Sequence, residues 1–177
     1  MVASNIVVFE NVLNHIDQYV EQVLSKPFDD VSDGDRVFKG IQIVQDTLVK
    51  YKLLNTYRNS EVVYNFIRKS SEHQDEPNFI HSDREMCDTI AILYLNKEYP
   101  EGAGTIIYEN NDTESIIDFG TKEYDQDNFT ESIRIAMKYN RMIAFPADLY
   151  HSRAIKENFG TGKDSRLIQV LFLKHKT

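Results

Sequence analysis

The stretch "NFIHSDREMCDTIAILYLN", Asn78 to Asn96, decides how this chain is read. His81 and Asp83 lie one residue apart, and an almost unbroken apolar run follows them. In a strand, residues i and i+2 project from one face, so the two side chains would stand together at a strand edge. Alone, H-x-D is a short coincidence, and two turn residues satisfying backbone groups would look the same. Its meaning comes from the surrounding chain.

Downstream the character is uniform. "TIAILYLN", "GTIIYE", "ESIIDF", "SIRIAMKY", "RMIAFPA" and "RLIQVLFLK" are short runs rich in β-branched and aromatic residues. "YPEGAG", "ENND", "KYNR" and "FGTGKD" punctuate them as turns. Many short strands at close spacing imply an antiparallel sandwich or barrel. Upstream, Val12, Leu13, Ile16, Tyr19, Val20, Val23 and Leu24 recur at helical spacing, predicting a helix over residues 10–25 that Pro27 ends. "FDDVSDGDR" reads as an exposed acidic loop, and "VFKGIQIVQ" as a strand. A second helical region is predicted over roughly residues 47–70, with a break near Asn55 and with Val62, Val63, Phe66 and Ile67 facing inward. "SSEHQDEPN" reads as loop. The expected architecture is mainly β with N-terminal helices (α+β), the helices packed on one face of the sheet. With no Pro/Gly/Ser linker, residues 1–177 are expected to form a single domain, 1–77 a helical support region and 78–177 the β core.

Composition narrows the function classes. The chain has 177 residues, 27% charged and 41% hydrophobic, the balance of an ordinary globular protein. A net charge of −8 argues against a nucleic-acid partner, which needs a basic face; the locally basic, tyrosine-bearing "KYKLLNTYRNSEVVYNFIRKS" reads better as a solvated face. No apolar run approaches the roughly 20 residues of a membrane helix, so no membrane association is expected. The N-terminus has no basic leader, and the single cysteine, Cys87, permits no internal disulfide. A reducing, intracellular location such as the cytoplasm is therefore expected.

Of the five histidines, His15, His73 and His175 sit in polar surroundings, whereas His81 and His151 end strand-like segments in apolar company, "NFIHSD" and "FPADLYHSRA". His81, Asp83 and His151 make an N/O set of intermediate hardness that suits Fe(II) with three cis positions left open. Zinc could use the same ligands but normally takes a tetrahedral site. Arg166 opens a strong strand 15 residues past His151. An arginine entering an inward strand needs an anion, and a guanidinium clamps a carboxylate bidentately. Tyr94 could offer its hydroxyl to the same anion. A salt bridge to one of the chain's acids is the plainer alternative for Arg166.

Taken in order, these parts resemble the 2-oxoglutarate- and Fe(II)-dependent dioxygenases, especially the prolyl-4-hydroxylase-like branch. The resemblance runs from Asn78 to Lys174: H-x-D, then "TIAILYLN" and "EGAGTIIYE", then "NRMIAFPADLYHS" ending at His151, then "SRLIQVLFL". It implies a double-stranded β-helix, a cupin-like jelly roll. It makes His81, Asp83 and His151 the iron ligands and Arg166 the partner of the distal carboxylate of 2-oxoglutarate. Tyr94 falls on a tyrosine that binds the same carboxylate, and Ile92 and Val170 would line the cosubstrate pocket. Two departures stand out. "ENFGTGKD" lengthens the interval from His151 to Arg166 and makes Lys163 a second, weaker choice for the anion. Asn140 stands where the family has glycine, and asparagine also tolerates a left-handed turn.

The resemblance implies oxidative decarboxylation of 2-oxoglutarate to succinate and CO2 under O2, coupled to hydroxylation of a protein side chain of prolyl type or of a small molecule. "FGTKEYDQDNFTES", around residues 120–132, is long enough to be a lid or a plain solvated loop. Arg84 and Arg153, each near a ligand, are candidate contacts to an anionic substrate, with ordinary surface pairing as the alternative. Two other functions stay open: a non-catalytic jelly-roll binding protein, and a cupin-like metalloenzyme that does not use 2-oxoglutarate. Arg166 and Tyr94 separate the latter, which needs no buried dicarboxylate clamp.

Overall fold

The computed structural model describes residues 5–45, 47–76, 78–111 and 128–176. In chain order the elements are β1 (Val7–Phe9), α1 (Ile16–Leu24), β2 (Asp29–Asp33), β3 (Arg36–Ile43), α2 (Leu48–Thr56), β4 (Ser60–Ser70), β5 (Thr89–Tyr94), β6 (Gly104–Asn110), β7 (Phe129–Ala136), β8 (Met142–Pro146), β9 (Tyr150–Arg153) and β10 (Arg166–His175). They form a seven-stranded sheet in the order β1-β8-β5-β10-β4-β3-β2 and a three-stranded sheet in the order β7-β6-β9. Every strand pairing among the described residues is antiparallel. This is the jelly-roll arrangement of a double-stranded β-helix, with the helices on one face of the larger sheet.

Alternation along the central strands divides the core in two. Ala91 and Leu93 of β5 join Leu167, Leu171 and Leu173 of β10 in an outer layer with Val23 of α1 and Val49 and Leu53 of α2. Ile90, Ile92 and Tyr94 face the other way with Ile168, Val170 and Phe172, meeting Ile107 and Ile135 of the small sheet. Strands sandwiched between a helical layer and a second sheet are apolar on both faces, as the continuous burial of Thr89–Tyr94 shows.

Four expectations are corrected. The helix read over residues 10–25 begins only at Ile16. Val12 and Leu13 are buried without being helical, because their N–H groups donate to the main-chain and side-chain oxygens of Asn140. The helix read over residues 47–70 is α2 alone, followed by strand β4. Val62, Val63, Phe66 and Ile67 belong to that strand, whose hydrogen bonds to β10 and β3 outweigh any local helical preference. Residues 1–77 are thus more than a helical support, since β3 and β4 complete the large sheet. "DDVSD" within the expected acidic loop forms β2, an exposed edge strand turning at Gly34 (φ 60°) into β3. Asn140 does adopt the left-handed conformation, with φ 64°. The segment "ESIIDF" and residues 120–127 of the expected lid lie outside the described residues. No helix among the described residues is long and apolar enough to cross a membrane.

Candidate metal and cosubstrate site

His81 and His151 are direct antiparallel partners. The His81 N–H donates to the His151 carbonyl at 3.1 Å, and the His151 N–H to the His81 carbonyl at 2.8 Å. Such a pair puts both side chains on one face. The expectation that Asp83 shares a strand edge with His81 is corrected: Asp83 precedes the turn that follows the isolated bridge at His81. Its N–H donates to Ala147 at 2.9 Å, and its carbonyl accepts from Met86 and Cys87. That anchoring still brings one carboxylate oxygen to 3.8 Å from His81 Nε2 and 3.6 Å from His151 Nε2. One donor atom from each of the three residues lies within 4.8 Å of the others.

The imidazoles are oriented from behind. His81 Nδ1 lies 3.1 Å from the Phe79 carbonyl, and His151 Nδ1 lies 3.0 Å from the Leu149 carbonyl. A carbonyl only accepts, so each Nδ1 carries a proton, and in the neutral ring that tautomer directs the Nε2 lone pair into the shared space. Phe79 and Phe145 pack against the two rings at 4.9 and 5.0 Å between centroids. Burial, reinforced by His81, pushes the His151 pKa down to about 3, so this ring is neutral. Burial raises Asp83, an effect that the His81 ring partly offsets. A bound cation would favour the carboxylate instead. Two imidazole nitrogens and one carboxylate oxygen converging in this way can hold a divalent metal, and their chemistry fits Fe(II).

The barrel interior continues from this point toward Arg166. Ile92 pairs with Val170 and Tyr94 with Ile168, so all four face inward, and Arg166 opens the same face of β10. On the small sheet, His151 pairs with Ile107 and Arg153 with Thr105. Thr105 therefore lies two residues, about 6–7 Å, deeper than the histidine pair. There its hydroxyl meets the Tyr94 hydroxyl at 2.8 Å. Burial pushes the Tyr94 pKa up to about 12, so the phenol keeps its proton. Thr105 was not singled out from the sequence, where a threonine in a strand is unremarked.

Arg166 is only 8% exposed. Its main-chain N–H donates to Phe159, but its guanidinium makes no hydrogen bond or ion pair among the described residues. Burial lowers its pKa to about 10, with the nearby Glu76 carboxylate opposing and Arg153 and Arg68 adding to the effect. It is still charged at neutral pH. Lys163 stands apart in an exposed 3-10 turn, Gly162–Asp164.

The two candidate substrate contacts differ. Arg153 is committed internally: its guanidinium donates to Asn158 Oδ1 at 2.9 Å and to the carbonyls of Glu76 and Lys156 at 3.0 and 3.1 Å. It also pairs with the Glu76 carboxylate at 3.4 Å, which Arg68 meets from the other side at 2.9 Å. Arg84 is exposed beside Asp83 and lines an open groove of about 700 Å³ with Tyr57, Cys87, Asp88, Pro146 and Asp148.

No family model matches the chain. No curated protein matches it either. Solved structures do. SnoN, a non-heme alpha-ketoglutarate-dependent epimerase of nogalamycin biosynthesis, matches with a TM-score of 0.62 at 10% identity, over 97% of this chain and 81% of that one. A 2OG-Fe(II) oxygenase family oxidoreductase from Burkholderia pseudomallei matches at 0.51 and 12% identity, over 96% and 84%. The chain has the fold of the 2-oxoglutarate- and Fe(II)-dependent oxygenases. The same oxygenase fold is found in the viral collagen prolyl hydroxylase of Paramecium bursaria Chlorella virus-1, with a TM-score of 0.55 and 12% identity over 98% of this chain and 91% of that one. SnoN was also solved with Fe3+, alpha-ketoglutarate and nogalamycin RO bound.

Proposed function

We propose that the protein is a 2-oxoglutarate- and Fe(II)-dependent oxygenase, with His81, Asp83 and His151 holding the metal and Arg166 holding the distal carboxylate of the cosubstrate. Arg166 carries the reading. A buried guanidinium with no carboxylate in direct contact is costly, and a dicarboxylate reaching in from the metal would pair with it. The two-residue step from His151 to the level of Thr105 matches the length of a five-carbon diacid chelated at one end. With the metal bound, the site would activate O2 and decarboxylate 2-oxoglutarate to succinate and CO2.

The protein's own residues bind, orient and exclude water. Asp83 supplies the one negative charge among the ligands, and the Nδ1 hydrogen bonds hold both Nε2 atoms toward it. Tyr94 offers a protonated hydroxyl beside Arg166, with Thr105 holding its oxygen. Ile92 and Val170 give the chamber apolar walls, which keep the guanidinium's field unscreened. Hydroxylation of a protein side chain of prolyl type or of a small molecule is the reaction we favour on the sequence resemblance; SnoN, an epimerase from nogalamycin biosynthesis, supports a small-molecule substrate but not the hydroxylation itself. A reducing compartment such as the cytoplasm suits the buried, unpaired Cys87.

The test is anaerobic addition of Fe(II) and 2-oxoglutarate to the metal-free protein, followed by O2. A weak visible charge-transfer band and then succinate release are expected. If wild type shows neither, the reading fails. Metal uptake without the band points to a metalloenzyme that does not use 2-oxoglutarate.

A further inference from the structure

The histidine pair raises a question about the ladder that holds it. In an antiparallel ladder the next hydrogen-bonded pair after His81 and His151 would join residues 79 and 153. It does not form. Instead the Arg153 N–H donates to the side-chain Oδ1 of Asn78 at 3.1 Å, and Asn78 Nδ2 donates back to the Arg153 carbonyl at 3.1 Å. The same Nδ2 lies 3.3 Å from the Ile155 carbonyl. The Asn78 carboxamide thus presents the donor and acceptor that a main-chain peptide would have presented.

The substitution has a local purpose. With the side chain completing the ladder, the main chain at Phe79 turns away from it. Its carbonyl then turns to His81 Nδ1 at 3.1 Å, and its ring packs on the His81 ring. An ordinary strand could not do this, because the carbonyl of residue 79 would be spent on Arg153. We propose that Asn78 is a positioning residue for His81: its carboxamide replaces a peptide opposite Arg153 and so fixes the direction in which His81 Nε2 points. The proposal rests on the reading of His81, Asp83 and His151 as a metal site. Asn78 touches neither metal nor substrate and acts through Phe79 and His81.

The experiment is Co(II) titration of the metal-free 177-residue chain, read by the visible absorption of the bound ion, with melting of the metal-free protein recorded in parallel. Asn78→Ala is expected to weaken Co(II) binding by about tenfold or more, as losses behind a metal ligand do. The band should also change shape, which loss of stability alone would not cause at a temperature well below the melt. Asn78→Asp, which keeps the acceptor for Arg153 but faces two carbonyls with a carboxylate, should behave alike and serves if the alanine variant does not fold. In a His81→Ala background, Asn78→Ala should add no further loss. Co(II) affinity within twofold of wild type in both Asn78 variants overturns the proposal, as does an equal loss in the His81→Ala background. Wild type that takes up no Co(II) overturns the metal reading and this proposal with it.

Discussion

The rings of His81 and His151 stand 4.4 Å apart, centroid to centroid, because the two residues exchange both of their main-chain hydrogen bonds. The site is therefore built into the backbone, and an ion entering it should stabilise the whole fold. At a free Fe(II) or Co(II) concentration of about one hundred times Kd, wild type should gain about 2.7 kcal/mol against unfolding. His151→Ala and Asp83→Ala should remove that gain, and a chelator should reverse it in wild type. Thermal melts with and without metal check this.

Arg166→Leu separates binding from folding. The guanidinium makes no hydrogen bond or ion pair among the described residues, so replacing it with an apolar side chain should leave the stability of the metal-free protein unchanged or slightly raised. Affinity for 2-oxoglutarate should nevertheless fall by about a hundredfold, the scale of losing one member of a buried charge pair. A titration of the visible band gives the affinity, and a urea midpoint gives the stability. A large loss of stability with unchanged cosubstrate affinity would assign Arg166 to the scaffold.

Glu76 should give stability a measurable dependence on pH. Its carboxyl is held below the usual range: burial pushes it up, but Arg68, with Arg153 and hydrogen bonds, outweighs that. A depressed carboxylate contributes fully above its unfolded pKa of about 4.3 and loses that contribution as pH falls through the folded value. Glu76→Gln should cost about 3 kcal/mol at pH 7, since it leaves the nearly buried Arg153 and the half-buried Arg68 without a counter-charge. The gap between wild type and variant should narrow below about pH 4. Urea midpoints of both proteins between neutral and acid pH test the sign.

Asn140 joins a left-handed backbone to a hydrogen-bonding side chain, its carboxamide donating to the Leu13 carbonyl at 2.8 Å and accepting from the Leu13 N–H at 2.9 Å. Asn140→Gly keeps the first property and loses the second, whereas Asn140→Ala loses both. The alanine variant should therefore be the less stable by about 1 kcal/mol. Equal stability of the two would mean that the hydrogen bonds alone matter.

Much of this was legible before folding. The two histidines, the aspartate and Arg166 stand out in the sequence because few side chains bind metal or anions and each sits at the end of an apolar run. What was not legible depends on partners. Val62, Val63, Phe66 and Ile67 satisfy a helical spacing as well as a strand apolar on both faces, and only the position of β4 between β10 and β3 decides the matter. "DDVSD" carries turn residues, yet an edge strand paired on one side tolerates them. Thr105, Asn78 and Glu76 are common residue types in common settings, and their roles arise from neighbours distant along the chain.

The strand order has a consequence for how the protein comes into being. β10 lies between β4 and β5, yet it follows both in the chain. Until it emerges from the ribosome, the large sheet is two separate halves with raw inner edges. The same strand begins with Arg166. Closure of the sheet and arrival of the buried guanidinium are therefore a single event in synthesis, and a nascent chain cut short before Ser165 would lack both.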